Sequence, residues 1–263
     1  MSSTKGEILI VPLLLGMKVD TEAAIIAYYI RDGEKNILVD TGYSIDPLLL
    51  KYFEPHISSY FERSEKQELP RALEQIKVQP EGIDIVINTH LHFDHCTNNH
   101  LFRNADWIVQ RKELQYAIAP LPINQLKIPA SETPEWRSSF GLIPMLQERI
   151  PINFTLVDGE KEITDNISVM LTPGHTPGSQ SVIVRTDKGT IVISGDNVPR
   201  FEIWEQYSRN KKIPAAKLIY TAPYSKEEYL KQLHESFRKI RELEPLSVLP
   251  SHDPKVFKKE KYP

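Results

Sequence analysis

Three histidines and one aspartate, all of them residue types that can bind a metal, lie within residues 90–95. Side chains two positions apart in an extended chain point to the same side, so His90 and His92 can reach one metal ion together. Asp94 and His95 stand where the chain turns into the next element and can face a second ion. The alternative, four satisfied polar residues at a strand end, is disfavoured by this density of ligand types. Imidazole nitrogen and carboxylate oxygen suit zinc, iron(II), manganese or cobalt.

Three further candidate ligands follow in the second half of the chain. His175 lies in residues 172–178 between two Pro-Gly pairs, which form a stiff turn around it. Asp196 follows the predicted strand at residues 190–194, where an aspartate ordinarily caps a turn, but a carboxylate can also bridge two cations with one oxygen to each. His252 can complete a second site. For each of the three taken alone, a turn or cap residue without a metal is the alternative.

The hydrophobic pattern predicts the elements that position these residues. Short apolar or alternating runs predict strands, and apolar residues three or four apart predict helices. Helices are expected at residues 70–77, in a segment ending at Ile118, and after Ser225, an N-cap with Glu228 completing a capping box. Every candidate ligand lies at a strand end or in the loop after it. The predicted strands are residues 8–14, 24–30, 36–40, 83–88, 107–110, 154–157, 168–172, 180–185, 190–194 and 246–249.

The predicted strands cluster in two groups, each followed by helix, which favours two packed sheets with helices outside. Two stretches differ from this pattern. Residues 119–151 contain six prolines together with Trp136 and Phe140, and residues 197–224 carry further prolines and aromatic residues. They are expected to be irregular, lid-like insertions that form an apolar cleft, within a single domain over residues 1–263.

The composition is that of an ordinary globular protein, with 263 residues, 40% hydrophobic and 25% charged. The net charge of −3 lacks the basic surplus typical of nucleic-acid enzymes. Cys96 is the one cysteine, so no internal disulfide can form, and it is expected to fill buried space rather than bind metal. The apolar run at residues 8–15 is interpreted as a buried strand rather than a signal peptide. We expect a cytoplasmic protein with no nucleic-acid or membrane partner.

The combined pattern, HxHxDH followed by His, Asp and His at these separations, resembles the metallo-β-lactamase superfamily over nearly the whole chain. The resemblance implies an α/β fold in which two mixed β-sheets are packed with helices outside, a four-layer αββα sandwich. It also implies that Asp40 supports the metal-bound histidines, although a turn-capping role is an equal alternative. The implied ligands are His90, His92 and His175 for one metal, Asp94, His95 and His252 for the other, and Asp196 between them.

Within the superfamily, residues 90–102 are most similar to N-acyl-homoserine lactonases. This implies opening of a lactone by water activated between two divalent metal ions, zinc first, with Fe²⁺, Mn²⁺ or Co²⁺ as alternatives. Asp94 would act as general base and then as general acid. One departure concerns the substrate: those lactonases commonly carry a tyrosine three residues after the bridging aspartate, and here that position is Pro199.

Other functions remain open at this point. A thioesterase of the glyoxalase II type, a β-lactamase or a phosphodiesterase would use the same ligand set, although only eleven residues follow His252, fewer than the glyoxalase type usually has. A non-enzymatic scaffold that keeps metal for stability is the third class. The expected partner is a small-molecule substrate with an apolar acyl portion, and a homodimer is left open as the assembly.

Overall fold

The computed structural model describes residues 8–19, 21–52, 61–118, 142–214 and 225–263. Within these residues the strands form two mixed β-sheets. The strands are β1 (Leu9–Lys18), β2 (Ala23–Asp32), β3 (Lys35–Val39), β4 (Phe61–Glu62), β5 (Ile85–Ile87), β6 (Asp106–Gln110), β7 (Phe154–Val157), β8 (Lys161–Glu162), β9 (Ile167–Leu171), β10 (Gln180–Thr186), β11 (Gly189–Ile193) and β12 (Ser247–Leu249). One sheet has the order β4-β1-β2-β3-β5-β6-β7, and the other has the order β12-β11-β10-β9-β8.

Helices cover the outer faces of both sheets. They are α1 (Pro47–Leu50), α2 (Leu69–Gln75), α3 (Phe93–Cys96), α4 (Arg111–Ile118), α5 (Leu142–Gln147), α6 (Phe201–Asn210) and α7 (Lys226–Glu242). Ser225 begins α7 as predicted, because its side chain accepts a hydrogen bond from the backbone nitrogen of Glu228. The predicted αββα sandwich of two mixed sheets is therefore confirmed.

The main core lies between the two sheets. Along β2 the side chains alternate, so that Ala24, Ile26, Tyr28 and Ile30 face the second sheet while the residues between them face the helices. The inner faces of β9, β10 and β11 supply the other half of this core. Separate apolar clusters bury α2 against the first sheet and α6 and α7 against the second.

The structure differs from the sequence-based expectation in two places, since residues 142–147 of the first predicted irregular stretch are helix α5 and residues 201–210 of the second are also helical. The second of these is helix α6, which buries Ile203 and Tyr207 against α7. Trp204 packs in the same cluster, with its ring 5.7 Å from that of Phe237, and so belongs to the core of this layer. The pattern was missed because the helix is short and begins without a side-chain cap at Arg200. Trp136 and Phe140 lie outside the described residues.

The parallel strand pairs decide where the loops gather. β3, β5 and β6 run parallel in the first sheet, and β11 and β12 run parallel in the second. The carboxyl ends of parallel strands meet at one edge, so the loops after β3, β5, β11 and β12 come together there. In the part of the chain that the structure describes, none of the helices is long and apolar enough to cross a membrane.

Candidate metal centre

All seven predicted ligands converge at this edge, four from the first sheet and three from the second. The loop after β5 and the start of α3 carry the first four, and the loops after β9, β11 and β12 carry one each. Their donor atoms fall into three overlapping groups, in each of which every pair of atoms lies within 4.8 Å. The groups are His90, His92 and His175; His90, His95 and Asp196; and Asp94, His95 and His252.

The first group is a compact set of three imidazoles. Nδ1 of His92 lies 3.0 Å from Nε2 of His90 and 2.9 Å from Nε2 of His175. All three side chains are buried. Three imidazole nitrogens that converge in this way are a common ligand set for zinc and other divalent metals.

Asp196 stands between the group of three histidines and the group of Asp94, His95 and His252, and it directs one carboxylate oxygen toward each. Its Oδ2 lies 3.3 Å from Nε2 of His175, whereas its Oδ1 lies 3.2 Å from Nε2 of His95 and 3.1 Å from Nε2 of His252. Asp94 is the most loosely placed member, because its Oδ2 is 3.8 Å from Nε2 of His95 and 3.9 Å from Nε2 of His252. It is also the most exposed of the carboxylates in this cluster.

The residues fit a metal on grounds of hydrogen bonding as well as chemistry. Nε2 of His95 and Oδ1 of Asp196 are buried, and within the described residues neither atom has a hydrogen-bond partner. Buried polar atoms are nearly always satisfied, because leaving one bare costs about 1–3 kcal/mol. A cation between these two atoms would satisfy both. The centre is therefore suited to a divalent metal.

The histidines are oriented by acceptors on their far nitrogens. Nδ1 of His95 lies 2.8 Å from the carboxylate of Asp40, and Nδ1 of His252 lies 2.8 Å from the carbonyl oxygen of Ala24. Both partners can only accept, so Nδ1 of each histidine carries a proton, and loss of the proton on Nε2 would leave a lone pair directed at the centre for a metal.

Asp40 also acts on His90 through Thr89. Its carboxylate accepts hydrogen bonds from the backbone nitrogen and the hydroxyl of Thr89, at 2.7 and 2.8 Å. Since that hydroxyl donates to Asp40, the contact of 3.1 Å to Nδ1 of His90 leaves His90 as the donor. Asp40 thus contacts the ligand set as the sequence analysis expected of a supporting carboxylate.

Electrostatics divide the centre into neutral and charge-paired histidines. Burial, reinforced by the neighbouring histidines, holds the pKa of His90 and of His92 well below the usual value. Burial acts on His95 in the same direction, but Asp196, Asp40 and Asp94 outweigh it and hold its pKa well above the usual value. The first group therefore offers neutral imidazoles, the form that binds metal.

The ligand loops also hydrogen-bond to one another through buried groups that the sequence did not single out. The side chain of Asn197 accepts from the backbone nitrogen of His175 at 2.9 Å and donates to the carbonyl oxygen of Thr172 at 2.6 Å. The backbone nitrogen of His252 donates to the carbonyl oxygen of Pro199 at 3.0 Å. The spacing of the three later ligands is therefore fixed by their own loops.

Glu113 is the other residue that the sequence analysis missed. It is fully buried on α4 and accepts hydrogen bonds from the loops that carry the first group. Burial, only partly offset by the bonds from Thr176, Leu91 and Gly178, raises the pKa of Glu113 to about 7. A signal was present in the sequence, since Glu113 shares the inner face of the helix with Tyr116 and Ala117.

Cys96 and His100, which follow the histidine motif in the sequence, both contact backbone carbonyl oxygens. Cys96 is buried, and its Sγ donates to the carbonyl oxygen of Leu91 at 3.4 Å. His100 contacts the carbonyl oxygen of Thr97 through Nδ1 at 2.8 Å. Phe93 packs edge to face on Phe61 and stands between two of the candidate ligands.

Known proteins with similar sequences include N-acyl homoserine lactonases. An N-acyl homoserine lactonase of Bacillus cereus is 28% identical over 179 residues, which cover 63% of this chain and 60% of that protein. The N-acyl homoserine lactonase AttM of Rhizobium radiobacter is 27% identical over 144 residues, 51% of this chain and 49% of that protein. The chain thus spans about half to three-fifths of the length of the curated relatives it matches.

Solved structures share the fold over almost the whole chain. An N-acyl homoserine lactone hydrolase with the product N-hexanoyl-L-homoserine bound superposes with a TM-score of 0.69 at 20% identity, covering 97% of this chain and 96% of that one. The hydrolase AbOPH superposes with a TM-score of 0.62 at 20% identity, covering 96% of this chain and 89% of that one. Residues 22–252 match the family description "Metallo-beta-lactamase superfamily". With its fold, its ligand pattern and this match in agreement, the chain belongs to the metallo-β-lactamase superfamily.

Proposed function

We propose that this protein is a hydrolase with two metal ions, most suitably Zn²⁺, that opens a lactone ring. The observation that carries the proposal is the position of Asp196, which points one oxygen at His175 and the other at His95 and His252. Its Oδ1 and the Nε2 of His95 are buried without a hydrogen-bond partner in the described part of the chain. A single carboxylate shared by two groups of donors is suited to two cations.

The residues that would hold the metals follow from the three groups of donors. His90, His92 and His175 would hold one ion, Asp94, His95 and His252 the other, and Asp196 would contact both. When bound, two divalent cations supply an activated water and a Lewis acid for a carbonyl oxygen.

Asp94 would carry the proton in this reaction. It is the most exposed carboxylate of the centre and its contacts with His95 and His252 are the longest there, so it can face both water and substrate. It would accept a proton from water as a general base and return it to the ring oxygen as the acyl C–O bond breaks. Water is thus added across the ester bond, and the product is a hydroxy acid.

A lactone is favoured over other substrates by the relatives. The similar sequences are N-acyl homoserine lactonases, and a structure with the same fold holds N-hexanoyl-L-homoserine. Such enzymes commonly carry a tyrosine that hydrogen-bonds the carbonyl group of the substrate, and Pro199 takes its position here. We therefore expect this protein to bind the substrate carbonyl more weakly. We expect a kcat/KM below about 10⁴ M⁻¹s⁻¹ on acyl-homoserine lactones, and a higher value would show that the tyrosine is dispensable.

A substrate panel on protein of measured metal content tests the function. The panel contains an acyl-homoserine lactone, an aliphatic lactone, a glutathione thioester, a cephalosporin and a phosphodiester. The proposal expects both lactones to be hydrolysed faster than the rest. Preference for the thioester, the cephalosporin or the phosphodiester would replace the lactonase proposal by the corresponding hydrolase.

A pair of histidine variants separates the metal centre from general damage. His92→Ala removes a donor from the first group and is expected to lose metal and nearly all hydrolysis. His234→Ala changes an exposed histidine on α7 and is expected to keep both. Full metal content with retained hydrolysis in His92→Ala would overturn the ligand assignment.

A further inference from the structure

Glu113 has a buried carboxylate that accepts hydrogen bonds from both loops of the three-histidine group. We infer that Glu113 is a positioning residue that sets the distance between the loop of His90 and His92 and the loop of His175, and so controls the affinity of that group for its metal. The inference rests on the proposed metal centre and adds to it a residue with no place among the ligands.

The first contact fixes the early loop. Oε1 of Glu113 accepts a hydrogen bond of 2.9 Å from the backbone nitrogen of Leu91, the residue between the two histidines. The side chain of Leu91 is buried in the apolar cluster beside α4. The peptide between His90 and His92 is held on one side by Glu113 and packed on the other, so a shift of the backbone that carries these two rings would break this bond.

The second contact fixes the later loop. Oε2 of Glu113 accepts a hydrogen bond of 2.6 Å from the hydroxyl of Thr176, which follows His175 directly. The same hydroxyl lies 2.7 Å from Oγ of Ser179, and Oγ of Ser179 accepts from the backbone nitrogen of Thr176. One carboxylate therefore joins two loops that come from different sheets.

The backbone of Gly178 adds an independent constraint on the same geometry. A β-carbon added at Gly178 would lie 2.1 Å from the backbone nitrogen of Glu113 and 2.3 Å from its Cα. Real β-carbons never approach backbone this closely, so only glycine permits the contact between α4 and this loop. The loop of His175 is thus packed directly on the residue that hydrogen-bonds to it.

Burying the carboxylate of Glu113 would be unfavourable without its hydrogen bonds to the two loops. An apolar side chain would fill the inner face of α4 at no electrostatic cost, whereas a buried carboxylate is tolerated only when it is well hydrogen-bonded. Leucine at this position would leave the amide of Leu91 without its acceptor. The glutamate at this position is therefore explained by its hydrogen bonds to the two loops rather than by its packing.

The effect is expected to be confined to one metal. The orienting contacts of His95 and His252 are made by Asp40 and by the carbonyl oxygen of Ala24, and neither contact passes through Glu113. Loosening the two loops should weaken the three-histidine group and leave the group of Asp94, His95 and His252 nearly intact. A residue needed only for folding would affect both groups alike.

The experiment measures metal stoichiometry and affinity in three variants. Glu113→Ala removes both hydrogen bonds, Glu113→Gln keeps the shape and can still accept from Leu91, and Thr176→Val removes one bond with little change in volume. Each is loaded with Zn²⁺ and titrated with a competing chelator, and each is loaded with Co²⁺ to record the visible spectrum of its bound ions. Far-UV circular dichroism reports the fold.

Asp32→Asn is the matched control. The carboxylate of Asp32 accepts from the hydroxyl of Thr164 at 2.5 Å and from the side chain of Asn166 at 2.9 Å, and so also joins the two sheets. It lies eight residues along β2 from Ala24, which is about 25 Å at the usual rise of a strand. This variant is expected to lose some stability and to keep both metals.

We expect Glu113→Ala to lower the affinity for one of the two metal ions about 10–100-fold, the range found for residues that support ligands. The affinity for the other ion should be unchanged. Glu113→Gln should restore most of that affinity, and combining Glu113→Ala with Thr176→Val should cost little more than Glu113→Ala alone. If Glu113→Ala does not fold, the same one-metal loss in Thr176→Val carries the test.

Two results would overturn the inference, and they are distinguishable from each other. The first result is a wild-type protein that binds two ions and Glu113 and Thr176 variants that either bind both ions equally well or lose both together. That result would refute the role of Glu113 and leave the proposed metal centre in place. Wild-type protein that binds fewer than two ions would refute the proposed centre, and this inference with it.

Discussion

At the scale of single residues, Asp40 shows how a supporting side chain is held in place. Its backbone φ of 59° lies in the left-handed region, which costs a non-glycine residue about 1 kcal/mol or more. The conformation persists because the carboxylate accepts three hydrogen bonds, two from Thr89 and one from His95. The strain is compensated by bonds that orient two candidate ligands.

Asp40→Asn is expected to weaken metal binding about 10–100-fold. The amide oxygen can accept from the backbone of Thr89, but the amide nitrogen then faces Nδ1 of His95, which must become an acceptor. The proton of His95 moves to Nε2, the atom that faces the centre. A chelator titration measures the loss, with Asp84→Asn as a control that also accepts from a backbone nitrogen. Unchanged affinity in a folded Asp40→Asn protein would contradict this role.

Glu113 gives the metal-free protein a specific dependence on pH. Burial raises its pKa from 4.5 to about 7 in the folded state, so the folded chain holds a proton that the unfolded chain releases between these values. This contribution to stability is complete below pH 4.5 and is lost as the pH rises to 7. A difference of this size corresponds to about 3 kcal/mol.

Glu113→Gln cannot lose a proton and should remove this component. The free energy of unfolding of metal-free Glu113→Gln, measured in urea, should therefore rise relative to that of wild type on going from pH 5 to pH 8. Other titrating groups are common to both proteins and cancel in the comparison. A difference between the two proteins that stays constant with pH would show that Glu113 ionises normally in the fold.

The residues at this scale differ in how far the sequence reveals them. The seven candidate ligands could be predicted because a metal demands particular residue types at short spacings, and all seven converge in the structure. Asn197 could not, because its partners lie 22 and 25 residues away and an isolated Asn is usually a surface residue. The helical spacing of Glu113 to Tyr116 and Ala117 indicates its buried face, but its hydrogen-bond partner 63 residues away could not be predicted. Only the folded chain shows which polar groups are buried together.

At the scale of elements, prediction succeeded where the pattern was strong. β2, β9, β10 and β11 follow apolar runs within two residues of the predicted bounds, because strands that are buried on both faces of a sheet require continuous runs of apolar residues. The two-residue strands β4 and β8 were missed, since two residues carry no period. Helix α6 was missed because it is short and begins without a side-chain cap, in a stretch rich in prolines and aromatic residues.

The contact between α4 and the loop of His175 supports a prediction about elements. Gly178→Ala must push this loop away from α4, because the added β-carbon would lie 2.1 Å from the backbone of Glu113. We expect a loss of stability of about 1–3 kcal/mol, typical of overpacking, together with weaker metal binding. Gly82→Ala is the matched control, since a β-carbon there meets nothing within 4 Å. Equal metal affinity in both variants would show that the loop adjusts freely.

At the scale of the whole molecule, the candidate centre joins the two halves of the sandwich. The first sheet supplies His90, His92, Asp94 and His95, and the second sheet supplies His175, Asp196 and His252. At the opposite end of β2 the sheets are joined by the hydrogen bond from the hydroxyl of Thr164 to the carboxylate of Asp32. Bound metals would therefore act as a cross-link at one end of the molecule.

Removing the metals should lower the stability of that end first. Ligand binding stabilises a fold by about 4 kcal/mol when free metal is a thousand times its Kd, which corresponds to a Tm change on the order of 10 °C in a chain of this size. A chelator should produce this decrease, and added Zn²⁺ should reverse it. Hydrogen exchange should accelerate in the loops after β5, β9, β11 and β12, while amides near Asp32 and Thr164 keep their protection. Within the described residues Nε2 of His95 and Oδ1 of Asp196 have no hydrogen-bond partner, so removing the metal would leave both atoms buried and unsatisfied. An unchanged Tm and an unchanged exchange pattern after chelation would show that the packing of the two sheets does not depend on metal.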